Sequence, residues 1–319
     1  MTKPLLRMLG LVFVMLALSA CDRLMSSEDA ETSLLHYSRP NDAGQRPPLS
    51  AFACYQLGFD AAYDEKYEEA IEYFNLSLAR DPQYALAYSG RAHVYLDLDE
   101  LDKALADYTK AIELDPQYAW AYLWRGKIYQ SLAKYDEAIA DYTEAIDIGT
   151  TDDTNKLFAQ VHFQRCNAFT AQNKLEEAAS DCQSSIDIDP QNAQAYDVLA
   201  WLYHLQLNYD EAIAASTAAL KIDPQLAGSY YVRGYSYWGK NELDLALQDF
   251  ESCVSVDPNY YACIFGRGEM HRLRGERDLA IADFSHALQF AMSQPELRLV
   301  NDRLKELGVA SAPVEKDKP

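Results

Sequence analysis

The absences in this chain narrow its chemistry. It has no glycine-rich phosphate loop and no serine-nucleophile elbow. His36, His93, His204, His271 and His286 form no metal-ligand spacing, and Asp147, Asp152 and Asp153 lack the alternation and glycine of a calcium loop. His162 and Cys166 stand four apart on one helix face, but their places in the repeat described below explain them without catalysis. Basic residues are scarce, 28 Lys and Arg against 49 Asp and Glu, giving a net charge of -21. Such a surface argues against nucleic acid or anionic lipid held in a basic groove. The apolar run Met8 to Leu18 is about half the ~20 residues that a membrane-spanning helix needs. The expectation is a protein that is not an enzyme, with no catalytic residue, metal, cofactor or small-molecule substrate.

What is present is a ruler. Asp-Pro dipeptides stand at Asp81-Pro82, Asp115-Pro116, Asp189-Pro190, Asp223-Pro224 and Asp257-Pro258, spaced 34, 74, 34 and 34 residues apart. The 74 is two periods of 34 plus six inserted residues near Thr150 to Lys156. A fixed period in this range marks a stacked-repeat architecture. With the proline as position 32, the units fall at 51-84, 85-118, 119-152, 159-192, 193-226, 227-260 and 261-294. Each carries two stretches of helical apolar periodicity around a short polar turn, ended by the Asp-Pro stop. Pro295 opens a further amphipathic stretch, 295-308, that fits the cap a repeat array needs, and 309-319 reads as a disordered tail.

Small residues recur at position 8 (Gly58, Ala92, Gly126, Ala200, Gly234, Gly268) and alanine at position 20, with aromatics at position 24 (Phe74, Tyr108, Tyr142, Phe250, Phe284). On these residues, 51-294 resembles the tetratricopeptide repeat family. Thr150 departs from the proline position, and Cys166, Cys182 and Ser216 depart at positions 8 and 24. The resemblance implies an all-α fold: a right-handed superhelix, or α-solenoid, of seven tandem helix-turn-helix units plus a C-terminal capping helix.

Arginine at position 7 and aspartate at position 23 occur together in five units: Arg91 with Asp107, Arg125 with Asp141, Arg165 with Asp181, Arg233 with Asp249 and Arg267 with Asp283. Units one and five lack both, having Leu57 with Tyr73 and Leu199 with Ala215. A lone buried charge is costly, so joint presence and joint absence predicts a structural ion pair between the two helices of a unit.

The first residues read as a secretory signal, with Lys3 and Arg7 ahead of the apolar run. Leu18-Ser19-Ala20-Cys21 resembles the lipobox of bacterial lipoproteins. That resemblance implies removal of 1-20, lipidation at Cys21 and a protein anchored to the cell envelope facing the periplasm, with Asp22 favouring the inner membrane. Removing Lys3 and Arg7 takes the net charge from -21 to -23, so the lipid is the membrane link. Residues 21-50 form the lipidated end and a polar, proline-containing tether, reaching roughly 30 Å.

Disulfides persist in such a compartment. Cys166 and Cys182, at positions 8 and 24 of one unit, and Cys253 and Cys263, across the next helix corner, are disulfide candidates; the alternative is cysteine as a small core residue. Cys54 is left over as a packed thiol.

The family resemblance places an inner groove along the first helix of each unit, at positions 2, 5, 9, 12 and 13. Here those positions hold Phe52, Tyr55, Phe59, Tyr63, Trp120, Phe163, Trp201, Tyr231, Tyr235, Trp238 and Phe265. They read either as a recognition surface or as extra core buried by tight curvature. Lys127 and Arg272 are the cations on these positions, so a carboxylate clamp of the kind some family members use is not reproduced. The expected function is a lipid-anchored periplasmic scaffold that binds an envelope protein or peptide segment, in pilus or secretion assembly, outer-membrane biogenesis or protease delivery. The alternative is a peptidoglycan- or carbohydrate-binding protein, since Gln130, Asn167, Gln194 and Asp197 lie near the aromatics.

Overall fold

The computed structural model describes residues 49-149 and 156-309. The signal segment, Cys21, all but the end of the tether, Asp152 and Asp153, and the tail beyond 309 lie outside the described residues. Among the described residues there are fifteen helices and no strand. None of these helices is long and apolar enough to cross a membrane.

The helices fall into two compact units divided between Ile148 and Gly149. The first holds α1 (Ala51–Tyr63), α2 (Tyr67–Arg80), α3 (Ala85–Asp97), α4 (Leu101–Leu114), α5 (Ala119–Ser131) and α6 (Tyr135–Ile148). The second holds α7 (Lys156–Ala171), α8 (Leu175–Ile188), α9 (Ala193–Leu205), α10 (Tyr209–Ile222), α11 (Ala227–Gly239), α12 (Leu243–Val256), α13 (Tyr261–Leu273), α14 (Arg277–Ala287) and α15 (Gln294–Glu306). Within each unit, every helix packs on its sequence neighbours, as stacked helical repeats require. First helices also meet first helices, α1 with α3 in the first unit and α9 with α11 in the second. That contact is what gathers the first-helix side chains onto one face.

Two turns repeat with the ruler. After each first helix, position 15 takes a left-handed backbone, from Glu65 (φ 60) and Asp99 (φ 62) through Leu207 (φ 62) to Gly275 (φ 77). The next N–H then reaches back to the carbonyl five residues earlier, as from Glu100 to Tyr95 at 2.8 Å and from Asn208 to Tyr203 at 2.9 Å. After the second helix, the Asp of each Asp-Pro accepts a hydrogen bond from the N–H two residues on. Gln83 donates to Asp81 at 2.9 Å, and Asn259 to Asp257 at 3.0 Å. The dipeptide is therefore a side-chain-closed turn as well as a helix stop.

Inside a pair, position 8 lies against the ring at position 24. Phe74, Tyr108, Tyr142, Phe250 and Phe284 are fully buried. A Cβ on Gly58, Gly126, Gly234 or Gly268 would come within 2.9 Å of the facing ring. In the fourth pair a disulfide takes over this contact: Cys166 and Cys182 are bonded, with Cα atoms 5.4 Å apart. Cys253 and Cys263 are bonded across the corner between α12 and α13. Cys54 is a buried free thiol, pushed up by burial.

Each position 7 arginine donates from Nε and Nη2 to both oxygens of its position 23 aspartate, at 2.6 to 3.0 Å across the five pairs. The guanidinium has further partners that the sequence pattern does not reveal. Nη1 reaches the preceding second helix, at Asn75 from Arg91, Thr109 from Arg125 and Thr217 from Arg233. The guanidinium carbon of the same arginines lies over the position 4 ring of Tyr88, Tyr122 or Tyr230, 5.6 to 5.7 Å from its centre. Arg91, Arg125 and Arg233 thus each tie two successive helix pairs together.

Burial pushes the Asp141 and Asp249 carboxyls up despite the arginine. At Asp181 burial is outweighed by hydrogen bonds from Arg165 and His162, and the carboxyl is held low. His162 Nδ1 lies 3.0 Å from Asp181, so its role is in this ion pair and not beside the bonded Cys166.

Three boundaries differ from the ruler. The helix α7 begins at Lys156, ahead of residue 159, because Leu157 is already buried. The capping helix α15 begins at Gln294, fixed by a capping box between Ser293 and Glu296, and its helical part ends at Glu306. It docks through Val300 and Leu304, and through Arg303, which meets the buried Glu269 at 2.6 Å.

The ion pairs yield a test. Asp141→Ala strands a desolvated guanidinium and should cost about 3 kcal/mol. Adding Arg125→Leu reproduces the Leu–Ala pair of the fifth repeat and should recover part of that loss in urea unfolding. A double variant as unstable as the sum of the singles contradicts this reading.

Candidate functional site

The first-helix faces carry the expected aromatics, and the structure sorts them. In the first unit, Tyr55, Phe59 and Trp120 line a cavity of about 100 Å³ together with Leu86, Ser89, His93, Tyr108, Tyr118 and Trp124. Tyr55 leans on Phe74 at 6.0 Å and stands edge-on to Tyr84 at 5.5 Å. Phe52 is half-buried on the same helix, and Tyr63 is exposed at its end.

One residue in this face, Trp124, was not singled out from the sequence. Trp124, at position 6, stands edge-on to His93 at 4.7 Å, and the Lys127 Nζ lies 3.9 Å from the Trp124 ring centre. Burial lowers Lys127 to about 8. Burial, with the Lys127 charge beside it, lowers His93 to about 4. The His93 Nδ1 meets the Tyr108 hydroxyl at 3.3 Å.

In the second unit the aromatics form a continuous row. Ring centres lie 6.0 Å apart between Trp201 and Tyr231, 4.8 Å between Tyr231 and Tyr235, and 5.5 Å between Tyr235 and Trp238. Tyr260 joins from the Asp-Pro turn, 5.7 Å from Tyr231. Asp197, Trp201, Tyr231, Tyr260 and Val232 line a pocket of about 350 Å³ whose remaining wall is Gly228 and Ala262. Burial pushes the Tyr231, Tyr235 and Tyr260 hydroxyls up, so all three are neutral donors at neutral pH.

Not every expected groove residue reaches this row. Phe265 is 8% exposed and belongs to the last core cluster, 5.4 Å from Phe284 and stacked on Tyr261 at 6.0 Å. Phe163 is half-buried against the Cys166–Cys182 core. Arg272 is held by Glu269 at 2.7 Å.

The turn tyrosines at position 34 had a readable signal, the Asp-Pro-x-Tyr sequence at Tyr84, Tyr118 and Tyr260. Tyr84 and Tyr260 pack on the position 5 tyrosine of their own repeat, Tyr55 and Tyr231. The turn therefore extends the first-helix face.

Helix pairs in register, a small residue against a ring in five of the seven pairs, and an aromatic first-helix face define a helical repeat protein of the scaffold type. Residues 121-148, 193-226 and 227-260 match the tetratricopeptide repeat model, and 92-133 match a second model described as TPR repeat. These segments are tetratricopeptide repeats.

No curated protein matches the chain. Among solved structures, it is similar to the C-terminal part of a TPR repeat-containing protein from Cytophaga hutchinsonii, at 18% identity and a TM-score of 0.60, covering 76% of this chain and 98% of that one. It is also similar to Pseudomonas aeruginosa pilF, at 18% identity and a TM-score of 0.57, covering 71% and 97%. A third is YrrB, described as a TPR protein with an unusual peptide-binding site, at 22% identity and a TM-score of 0.54, covering 60% and 95%. At these identities the likeness is one of fold.

His93 makes the first-unit face acid-sensitive. Its folded pKa lies below the value of ~6.5 for an unfolded histidine. The stability it contributes is complete above that pH and is lost as acid takes the protein down through about 4. The difference corresponds to about 3 kcal/mol. His93→Gln, which can still meet the Tyr108 hydroxyl, should lose less stability than the parent between pH 7 and pH 4.5 in urea melts. An equal loss in both proteins contradicts the assignment.

Proposed function

We propose that the protein is an adaptor of the bacterial cell envelope that holds an extended or helical segment of a partner protein against its aromatic first-helix faces. The tetratricopeptide scaffold is suited to protein or peptide binding, and the observation that carries the reading is the row from Trp201 through Tyr231 and Tyr235 to Trp238. Such rings offer large apolar area with few rotamers to freeze, which is how a few residues come to dominate an interface. The hydroxyls and indole N–H groups at their rims suit the backbone of an extended chain, and repetition along the face supplies many modest contacts to one segment. YrrB, with a related fold, is described as having a peptide-binding site.

The envelope setting rests on the signal-like residues 1-20 and the lipobox resemblance ending at Cys21. Two bonded cysteine pairs in the second unit fit an oxidising compartment. In this reading several acyl chains on Cys21 hold the protein on a membrane face, and the acidic repeat surface stays clear of anionic lipid.

A photoreactive amino acid at Trp201 or Trp238, compared in cells with the same group at exposed Glu211 or Glu251 on the second helices, tests the face. The row positions should capture one discrete partner that the second-helix positions do not, and Cys21→Ser should move the protein from the membrane to the soluble fraction. Capture stronger from Glu211 or Glu251 contradicts the face. Retention of the full chain on cell-wall sacculi that is lost on Trp238→Ala would favour the carbohydrate alternative.

A further inference from the structure

Three departures from the repeat meet in the pocket beside Trp201. Position 5 is Tyr55, Ser89, Leu123, Phe163, Tyr231 or Phe265 in the other repeats, but Asp197 here. Position 2 carries Phe52, Leu86 and Trp120 in the first three repeats, whereas Gly228 and Ala262 stand at the pocket wall. A carboxylate therefore replaces an apolar or hydroxyl side chain, and the two neighbouring positions that could have filled the space in front of it are among the smallest residues. The backbone itself approaches the acid, since a Cβ on Gly228 would lie 3.2 Å from Asp197 Oδ2.

Asp197 is held but not neutralised. The Ser229 hydroxyl donates to Oδ1 at 2.5 Å, and no cation among the described residues pairs with the carboxylate. Burial pushes the acid up, as it must for a desolvated carboxyl without a counter-charge. Around it stand the rings of Trp201, Tyr231 and Tyr260. A carboxylate and the negative faces of aromatic rings both attract positive charge.

The chain itself shows what such a setting takes. Arg233 lies over the Tyr230 ring at 5.7 Å and donates two hydrogen bonds to Asp249, and Arg91 and Arg125 repeat the arrangement. The pocket presents the same partners, an aspartate beside tyrosine, with no arginine of its own. A guanidinium is planar, weakly hydrated and able to pair with both carboxylate oxygens while stacking on a ring, which an ammonium does less well. The net charge of -21 also favours the approach of a basic segment.

We propose that the pocket formed by Asp197, Trp201, Tyr231 and Tyr260 is a receptor site for an arginine side chain of the bound partner segment. The inference deepens the adaptor reading and rests on it. It gives the groove a sequence preference: one arginine seated beside Trp201, with the flanking apolar residues of the segment running toward Tyr235 and Trp238.

The test uses the full chain labelled with 5-fluorotryptophan, its four tryptophan resonances assigned by single Trp→Phe changes. N-acetyl-arginine amide should shift the Trp201 signal saturably and leave Trp120 and Trp124 unmoved. N-acetyl-citrulline amide, which has nearly the same shape without the charge, should bind at least tenfold more weakly, and N-acetyl-lysine amide should fall between them. Asp197→Asn keeps an acceptor for Ser229, and should weaken the arginine probe at least tenfold with the Trp238 signal of the free protein unchanged. Equal binding of citrulline, unchanged affinity in Asp197→Asn, lysine as tight as arginine, or no saturable shift each overturns the proposal. If the arginine probe fails while the Trp201 and Trp238 crosslinkers still capture a segment, the subsite falls and the adaptor reading stands. If the probe binds but those positions capture nothing, the adaptor reading falls.

Discussion

Where the first helix of a pair crosses the second, there is no room for more than the smallest side chains. Gly126 faces Tyr142 and Gly234 faces Phe250 so closely that an added Cβ would fall at 2.7 and 2.9 Å from the ring. This approach fixes how the two helices cross, and the buried ring then serves the next repeat as well, since Gly90 lies as close to Phe74 and Gly266 to Phe250. One aromatic side chain at position 24 thus sets the spacing within a pair and between pairs. The arginine of position 7 adds direction to that spacing, through its aspartate, the preceding helix and a tyrosine face. With both constraints met, the first helices of a unit stand side by side and gather their groove positions toward one face.

That frame was legible in the sequence because it recurs. Position 8, position 24, the Arg–Asp pairs and the Asp-Pro stop each appear several times, so the chain compares itself with itself. Joint loss of arginine and aspartate in two units is the mark of two positions in contact. The cysteines were legible for the same reason: Cys166 and Cys182 sit where other repeats place a small residue and a ring, and the bond replaces the packing.

The rest was hidden because it depends on geometry between repeats or on a neighbour's size. No pattern within one unit shows that Arg125 reaches Thr109 of the preceding helix. Phe265 shares position 5 with Tyr231, yet it is core while Tyr231 lines a pocket. Glu269 could not be recognised as a buried acid without Arg303, which arrives on a helix outside the repeat. The positive φ at Leu207 is likewise set by turn closure, since leucine does not favour it. The candidate site was therefore readable as a set of aromatic positions, whereas its division into core, row and pocket was not.

The close approach at position 8 sets the frame, and the face inherits its alignment from it. Gly234→Ala places one methyl against Phe250 while alanine gains up to about 1 kcal/mol of helix propensity over glycine, so a net loss in urea unfolding of that variant is the direct measurement. The expected result is a loss of about 1–3 kcal/mol, the range for overpacking a tight interior, accompanied by a changed fluorescence of Trp238 one turn along the same helix. Unchanged stability and an unchanged Trp238 signal would show that the helices have slack where they cross, and would contradict the claim that this contact sets the frame.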